Sequence, residues 1–165
     1  SLKLKVLLCG SASSEKTKLV NRFVQGKFRN DYKLTVGVDI FTKDVEVRNQ
    51  LCTLSIWDIG SQDRFSIFRT SFYRGASAAI IVFDLSKEAN IDEVQNCYNE
   101  ITSNVGDIPV IFVEKGNGEN GDEKRREFKN LIESTGKTYF KTDSTGKNME
   151  EVFSSIADQT LEMYA

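Results

Sequence analysis

The sequence predicts a doubly wound α/β domain, in which helices cover both faces of a mostly parallel, six-stranded sheet. Apolar strand-like runs alternate with helical patterns along all 165 residues. Two of these runs, at 78–83 and 110–113, are continuously apolar, which is typical of strands buried on both faces. The chain is long enough to bury one core, so we expect residues 1–165 to form a single domain.

The first half of the chain supplies the antiparallel edge of the predicted sheet. An apolar run predicts a first strand at 4–9, and a helical pattern follows at 16–24. Strands at 38–47 and 51–58 are separated by a short polar turn at 48–50, so they are predicted to pair as a hairpin.

The second half predicts three strands, at 78–83, 110–113 and 138–142, each separated from the next by a helix. The first of these helices should begin at a capping pair formed by Asn90 and Glu93. The last helix follows the i, i+3, i+4 rule through its whole length, and Asn148 and Glu151 are predicted to cap its start. The apolar residues of the three helical faces are Ile91, Val94, Cys97, Tyr98 and Ile101, then Phe128, Leu131 and Ile132, then Met149, Val152, Phe153, Ile156, Ala157, Thr160, Leu161 and Tyr164.

Composition excludes several classes of function. The net charge is −2 and no basic stripe stands out, so nucleic acid is not an expected partner. No apolar run approaches the roughly 20 residues of a membrane-spanning helix. The absence of histidine excludes histidine-based triads and histidine metal ligands. The three cysteines have scattered spacings without a CxxC pair, so we expect reduced, buried thiols in a cytoplasmic protein.

Residues 10–17, Gly-Ser-Ala-Ser-Ser-Glu-Lys-Thr, match the phosphate-binding loop G-x-x-x-x-G-K-[ST] except at one position. Backbone N–H groups of such a loop point at phosphates, and glycine permits their close approach. The candidate phosphate-binding residues are Gly10, Ser14, Lys16 and Thr17. Glu15 replaces the second glycine, and its carboxylate about 4 Å from a phosphate charge would cost at most about 4 kcal/mol at an effective dielectric of 20.

Three further segments resemble the Rab family of small GTPases. The segment 32–39, Tyr-Lys-Leu-Thr-Val-Gly-Val-Asp, is similar to the first switch of that family, and 56–65, Ile-Trp-Asp-Ile-Gly-Ser-Gln-Asp-Arg-Phe, is similar to the second. Residues 72–76, Phe-Tyr-Arg-Gly-Ala, resemble the stretch that follows. The resemblance implies one G-domain that binds GTP or GDP with Mg²⁺, with switch I at about 28–40 and switch II at about 58–75.

The resemblance also assigns roles to single residues. Lys16 would reach the β- and γ-phosphates. Thr17 and Thr35 would coordinate Mg²⁺, and Asp58 would support the metal through water. Gln62 matches the catalytic glutamine that orients the attacking water.

Base recognition departs from the family pattern. In the family, N-K-x-D after the fifth strand reads guanine, and the corresponding residues here are 115–118, so Lys115 replaces the asparagine and Gly118 the aspartate. Starting the motif at Asn117 does not restore it, because Asn120 then stands where the acid belongs. Each lost charge-assisted hydrogen bond is worth about 1.5–3 kcal/mol. Phe28 matches the aromatic residue beside the guanine ring, although simple packing explains it equally well.

Two more departures weaken the implied site. Ser61 replaces the glycine of D-x-x-G, whose N–H bonds the γ-phosphate in the family. The S-A-K signature is missing, since 142–146 reads Thr-Asp-Ser-Thr-Gly. We therefore expect nucleotide binding to be weakened or lost, and hydrolysis to be very weak or absent.

Two readings of the retained residues stay open. In the first, Lys16, Thr17, Thr35 and Asp58 cap the first helix and pair with one another, and the protein works only as a binding module. In the second, these residues and Gln62 hold a nucleoside triphosphate that is hydrolysed slowly and with relaxed base specificity. A further alternative is that the chain is one half of a tandem or heterodimer whose other G-domain holds the nucleotide.

The resemblance also implies a face for protein partners. Ile40, Trp57 and Phe72 match the triad through which Rab-type proteins meet effectors and regulators, and a tryptophan in an apolar setting is a common interface anchor. Packing within the strand is the alternative for Trp57. The family works in vesicle trafficking on the cytosolic face of endomembranes and carries a lipidated tail. No such motif precedes Ala165, so membrane attachment would require a tail outside this sequence.

Overall fold

The computed structural model describes residues 2–11, 14–28, 38–60, 70–86, 91–116 and 122–164. Its strands are β1 (Leu2–Gly10), β2 (Gln25–Phe28), β3 (Val38–Val47), β4 (Gln50–Ile59), β5 (Ala78–Asp84), β6 (Val110–Lys115) and β7 (Thr138–Thr142). Its helices are α1 (Lys16–Asn21), α2 (Ile91–Val105), α3 (Asp122–Thr135) and α4 (Met149–Met163), with a 3₁₀ turn at Thr70–Phe72. No helix in these ranges is both long and apolar enough to cross a bilayer.

The described strands form one sheet in the order β2-β3-β4-β1-β5-β6-β7. Strand β1 pairs in parallel with β4 and β5, and β5–β6 and β6–β7 are also parallel. The pairs β2–β3 and β3–β4 are antiparallel. The predicted α/β fold with an antiparallel edge is confirmed. The short strand β2, which the sequence analysis did not predict, extends that edge by pairing Phe28 with Ile40.

The hairpin between β3 and β4 turns more tightly than predicted. Arg48 and Asn49 both have positive φ, at 53° and 60°, and Gln50 already belongs to β4. Two consecutive left-handed residues are the mark of a type I′ turn, which matches the twist of the flanking strands.

Two helix boundaries differ from the prediction. Helix α1 ends at Asn21 rather than residue 24, because Phe23 leaves the helix to pack against Phe153, with ring centroids 6.2 Å apart. At the start of α4, Asn148 has φ 69° and its side chain makes no capping hydrogen bond. Its Nδ2 instead donates to the Lys141 carbonyl. The prediction that Asn148 and Glu151 cap the helix as a pair is therefore wrong. The other predicted cap, Asn90, lies outside the described residues.

Two apolar layers, one on each face of the sheet, form the core. Along β1, Val6 and Leu8 face the layer with α1 and α4, whereas Leu7 and Cys9 face the layer with α2 and α3. Every residue of β5 and β6 is buried, as expected for central parallel strands. The buried thiols Cys9 and Cys52 agree with the prediction, but Cys97 is only half-buried. Ligands of such sheets bind beyond the carboxyl ends of the strands.

Candidate functional site

The loop that leaves β1 passes very close to the neighbouring strand β5. A Cβ atom placed on Gly10 would lie well inside van der Waals contact of the Val82 carbonyl oxygen. That same oxygen accepts a hydrogen bond from the Ser11 N–H at 3.2 Å. Ser14 is fully buried, and its Oγ and N–H both donate to the Ser11 carbonyl, at 2.8 and 3.0 Å. Ser11 and Ser14 are therefore held in place by hydrogen bonds to each other and to β5.

Substituting Gly10 with alanine should lower the free energy of unfolding by about 2–3 kcal/mol, because the new methyl group meets a backbone atom that cannot move aside. Denaturant unfolding monitored by circular dichroism measures the change. Gly106→Ala is the matched control, since Gly106 has open space around it and only a positive φ of 82°, which costs about 1 kcal/mol. Equal losses in the two variants would contradict the steric explanation.

Glu15 keeps a backbone conformation suited to glycine. Its φ and ψ are 53° and 40°, the left-handed region, and it forms the N-terminal boundary of α1 without a side-chain cap. For a residue with a Cβ this conformation costs about 1–2 kcal/mol. At this position the backbone therefore keeps a conformation that glycine adopts without cost.

Lys16, Thr17 and Asp58 contact one another directly. The Nζ of Lys16 forms an ion pair with Asp58 Oδ1 at 2.6 Å. Thr17 Oγ1 donates to Asp58 Oδ2. The Asp58 side chain is 4% exposed and that of Lys16 is 14% exposed, so both charges are largely removed from water. Of the first open reading, the pairing of Lys16, Thr17 and Asp58 is thus present, whereas Thr35 lies outside the described residues and the start of α1 has no side-chain cap.

The carboxyl edge of the sheet also carries buried polar oxygens that could receive a polar ligand. Ser11 Oγ, directly after β1, and Thr142 Oγ1, at the end of β7, have no hydrogen-bond partner among the described residues. Buried oxygens of this kind normally bond to something. Ser11, Lys16, Thr17 and Asp58 have the residue types that fit the phosphate and Mg²⁺ end of a nucleotide. Thr142 lies three strands away from β1 and is not part of that group.

Lys115 reaches the same loop from the end of β6. It is 9% exposed, and its Nζ donates to the Ser14 carbonyl at 3.4 Å and lies 3.6 Å from Glu15 Oε2. Glu15, whose side chain is 46% exposed, thus points its carboxylate toward this lysine. An ion pair this close to the loop leaves less positive charge for a phosphate.

Glu114 is a buried charged residue that the sequence analysis missed. It is 1% exposed, and its carboxylate accepts two hydrogen bonds from Arg125, each 3.3 Å, and one from the Tyr139 hydroxyl. Burial and the hydrogen bond to Glu114 raise the pKa of Tyr139. The cluster fastens α3 to β6 and β7 beside the site. The sequence feature that could have revealed Glu114 is an acidic residue directly after a continuous apolar run, at the end of a buried strand.

A small cavity of about 70 Å³ opens between α1, the end of β6 and the segment after β7. Its described lining is Glu15, Lys18, Leu19, Arg22, Lys115 and Ser144. A water molecule needs about 10–15 Å³ by this measure, so the cavity holds roughly five to seven small atoms. A purine ring system would extend beyond this volume.

The predicted partner face forms one continuous patch. Ile40 and Trp57 are register partners on β3 and β4, and the rings of Trp57 and Phe72 are 6.0 Å apart. The Lys5 ammonium lies 3.8 Å from the centre of the Trp57 ring, and Trp57 Nε1 donates to Ser55 Oγ at 3.1 Å. Ile40, Trp57 and Phe72 are half-buried and pack on the core, so packing within the fold accounts for part of the Trp57 surface. Its role as an interface anchor stays a prediction.

Several predicted site residues lie outside the described residues: Thr35, Ser61, Gln62 and Gly118. Phe28 ends β2, and only its backbone is described. Parts of both switch segments fall in the same gaps.

Comparison with known proteins covers nearly the whole chain. A sequence profile of the Ras family matches residues 5–162. The Ras-related protein RABG3f of Arabidopsis thaliana is 34% identical over 171 residues, which cover 96% of this chain and 82% of the relative. The GTP-binding protein YPTC5 of Chlamydomonas reinhardtii is 33% identical, and the Ras-related protein Rab7 of Pisum sativum is 34% identical, with the same coverage.

Proposed function

We propose that this chain, which belongs to the Ras family of small GTPases and is similar to its Rab-type members, is a partner-binding module that binds GTP and GDP weakly or not at all. Its G-domain comprises residues 1–165, with the phosphate-binding loop at 10–17. Little or no GTP hydrolysis is expected. The observation that carries the proposal is Glu15, an acid in the middle of that loop.

Glu15 opposes a bound nucleotide through its negative charge. Its carboxylate lies next to the place where phosphates would lie, and even half of the 4 kcal/mol upper bound weakens binding about 30-fold. Lys115 Nζ, 3.6 Å from Glu15 Oε2, offsets part of this charge, so the repulsion lies below the upper bound. Ser61 and Gly118 are further departures at the γ-phosphate and the base.

Lys16 and Asp58 would also have to separate before a nucleotide could bind. They lie 2.6 Å apart in a largely dry setting. Breaking a pair of this kind costs several kcal/mol unless a ligand satisfies both charges. Lys16 would hold phosphate oxygens, and Thr17, Thr35 and Asp58 would hold Mg²⁺. When bound, Mg²⁺ would neutralise phosphate charge. Without Mg²⁺ and nucleotide, Lys16 and Thr17 both pair with Asp58.

The segment at the end of β6, which would bind the base, can be aligned with the N-K-x-D motif in a second register. Lys115 is the lysine of this segment, and its ammonium contacts the phosphate-binding loop at Ser14. Aligning Lys115 with the lysine of the motif places Glu114 at the asparagine and Asn117 at the aspartate. In either register the carboxylate that accepts from guanine is absent.

The partner face retains more of the family's residue types than the nucleotide site does. Ile40, Trp57 and Phe72 form a half-buried apolar patch whose tryptophan is held by Lys5 and Ser55. A rigid aromatic anchor loses little entropy on binding, which favours recognition by protein effectors or regulators. By analogy with its Rab-type relatives, we place the protein in vesicle trafficking, on the cytosolic face of endomembranes.

The second candidate function is a slow small GTPase with relaxed base specificity. The constellation of Lys16, Thr17 and Asp58 favours it, because it retains the residue types that bind phosphate and Mg²⁺. With no carboxylate to read the base, ATP and GTP should compete almost equally. Gln62 would then position the attacking water.

Chromatography of nucleotide released on denaturation separates the two functions. The purified protein is denatured, and the guanine nucleotide in the supernatant is counted per mole of protein. The proposal predicts far less than one equivalent of GTP plus GDP. Stoichiometric guanine nucleotide would refute the proposed function and favour the second candidate.

A further inference from the structure

The 70 Å³ cavity beside the phosphate-binding loop carries an excess of positive charge. Lys18 and Arg22 line it from α1 and the residue that follows, and Lys115 lines it from β6. Glu15 is the one carboxylate among its described lining residues. Three cations against one carboxylate give the lining a formal charge of +2, in a chain whose net charge is −2.

This charge is not neutralised elsewhere in the described structure. Lys18 lies in the last turn of α1 and Arg22 directly follows the helix. No ion pair joins either of them to a carboxylate in the described ranges; Arg22 donates to the Ser144 carbonyl. Asp143 adjoins Ser144 in sequence but is not among the described lining residues. The charges of Lys18 and Arg22 can therefore pair with an anionic ligand.

The size of the cavity limits the kinds of ligand that it can hold. Space for roughly five to seven small atoms suits the five non-hydrogen atoms of a phosphate, whereas a purine ring would extend beyond it. The guanidinium of Arg22 can donate to two oxygens at once, whereas Lys18 and Lys115 act as point charges. The lining charge of +2 also equals the charge needed to balance a phosphate dianion.

We propose that this cavity is a binding site for a single phosphate group, held by Lys18, Arg22 and Lys115, on the side of the domain where the family reads guanine. The proposal rests on the proposed function, because it assigns a different ligand to a base pocket that has lost its carboxylate. Inorganic phosphate and the monophosphate of a small metabolite are the two sources of such a group, and the experiment distinguishes them.

Isothermal titration of the 165-residue protein with sodium phosphate tests the site. The buffer contains EDTA, and sodium chloride keeps the ionic strength constant. The expected result is one site with a Kd of about 1 mM. Lys18→Ala with Arg22→Ala should weaken it at least about tenfold, whereas Glu15→Gln should tighten it several-fold.

Arg126→Ala with Lys129→Ala is the matched control, because it removes the same two charge types from exposed positions of α3. It should leave the Kd within about twofold of the unmodified protein. Circular dichroism confirms that each variant is folded. No binding at about 10 mM phosphate, or equal losses in both double variants, would overturn the proposal.

AMP and GMP form the remaining arms of the experiment. If the phosphate group alone is recognised, the two bind within about threefold of each other and compete with inorganic phosphate. Binding of inorganic phosphate alone also supports the site and identifies its source. GMP much tighter than AMP would mean that a base is read, and would contradict the proposal.

The two proposals fail separately. Stoichiometric released GTP or GDP refutes the proposed function whatever the phosphate titration gives. Absence of phosphate binding in a protein that also lacks nucleotide refutes only the phosphate site.

Discussion

Asp58→Ala is expected to lower the free energy of unfolding of the nucleotide-free protein by about 3 kcal/mol, or its Tm by about 6–12 °C. The substitution removes the group that satisfies both Lys16 and Thr17. Lys16 would be left largely buried without a counter-charge, and breaking a buried pair costs more than the pair itself is worth. Thermal and denaturant unfolding of protein stripped of nucleotide by EDTA measure the loss.

A double-mutant cycle isolates the pair from other effects. Lys16→Met should destabilise by a similar amount, whereas Lys16→Met with Asp58→Leu should lose much less than the sum of the two single variants. Asp158→Ala is the control, because its ion pair with Arg48 is about half exposed and worth at most about 1 kcal/mol. Strict additivity of the cycle would show that Lys16 and Asp58 do not stabilise each other.

Glu15→Gly combined with Asn117→Asp is expected to tighten the binding of Mg²⁺-GTP by about a thousandfold or more. The first change removes a repulsive carboxylate and relieves the left-handed backbone at φ 53°. The second supplies the two charge-assisted acceptors for guanine, each worth about 1.5–3 kcal/mol. Titration calorimetry with GTP and ATP gives both the gain and its base specificity.

The matched control for this variant is Glu15→Gly with Gly118→Asp. It tests the register in which Lys115 replaces the asparagine of N-K-x-D, whereas Asn117→Asp tests the register in which Lys115 is the motif lysine. The contact between Lys115 and Ser14 favours the second register, so Asn117→Asp should give the larger gain. Failure of both double variants would mean that the scaffold itself has lost the nucleotide pocket.

The order of strands and helices could be predicted because each has a clear local pattern. The apolar runs of β5 and β6 and the helical stripe of α4 specify their elements with little help from tertiary contacts. The pairing of Lys16 with Asp58 also followed from the phosphate-binding loop and the strand that faces it. In these cases the chemistry of the residues and the topology require the same contact.

Other features depended on contacts between distant segments. Phe23 leaves α1 because it can pack on Phe153, 130 positions further along the chain. Asn148 is a good capping residue by type, but the Lys141 carbonyl competes for its amide. The cation-lined cavity could not be predicted, since Lys115 meets Lys18 and Arg22 only once β6 and α1 have packed together.

Titration of Mg²⁺-GTP into nucleotide-stripped protein tests the central claim most directly. The claim is that Glu15, together with the lost base contacts, has weakened a family nucleotide site whose remaining residues pair with one another. It predicts a Kd weaker than about 100 μM for Mg²⁺-GTP. A submicromolar Kd for GTP, with clear preference over ATP, would contradict it.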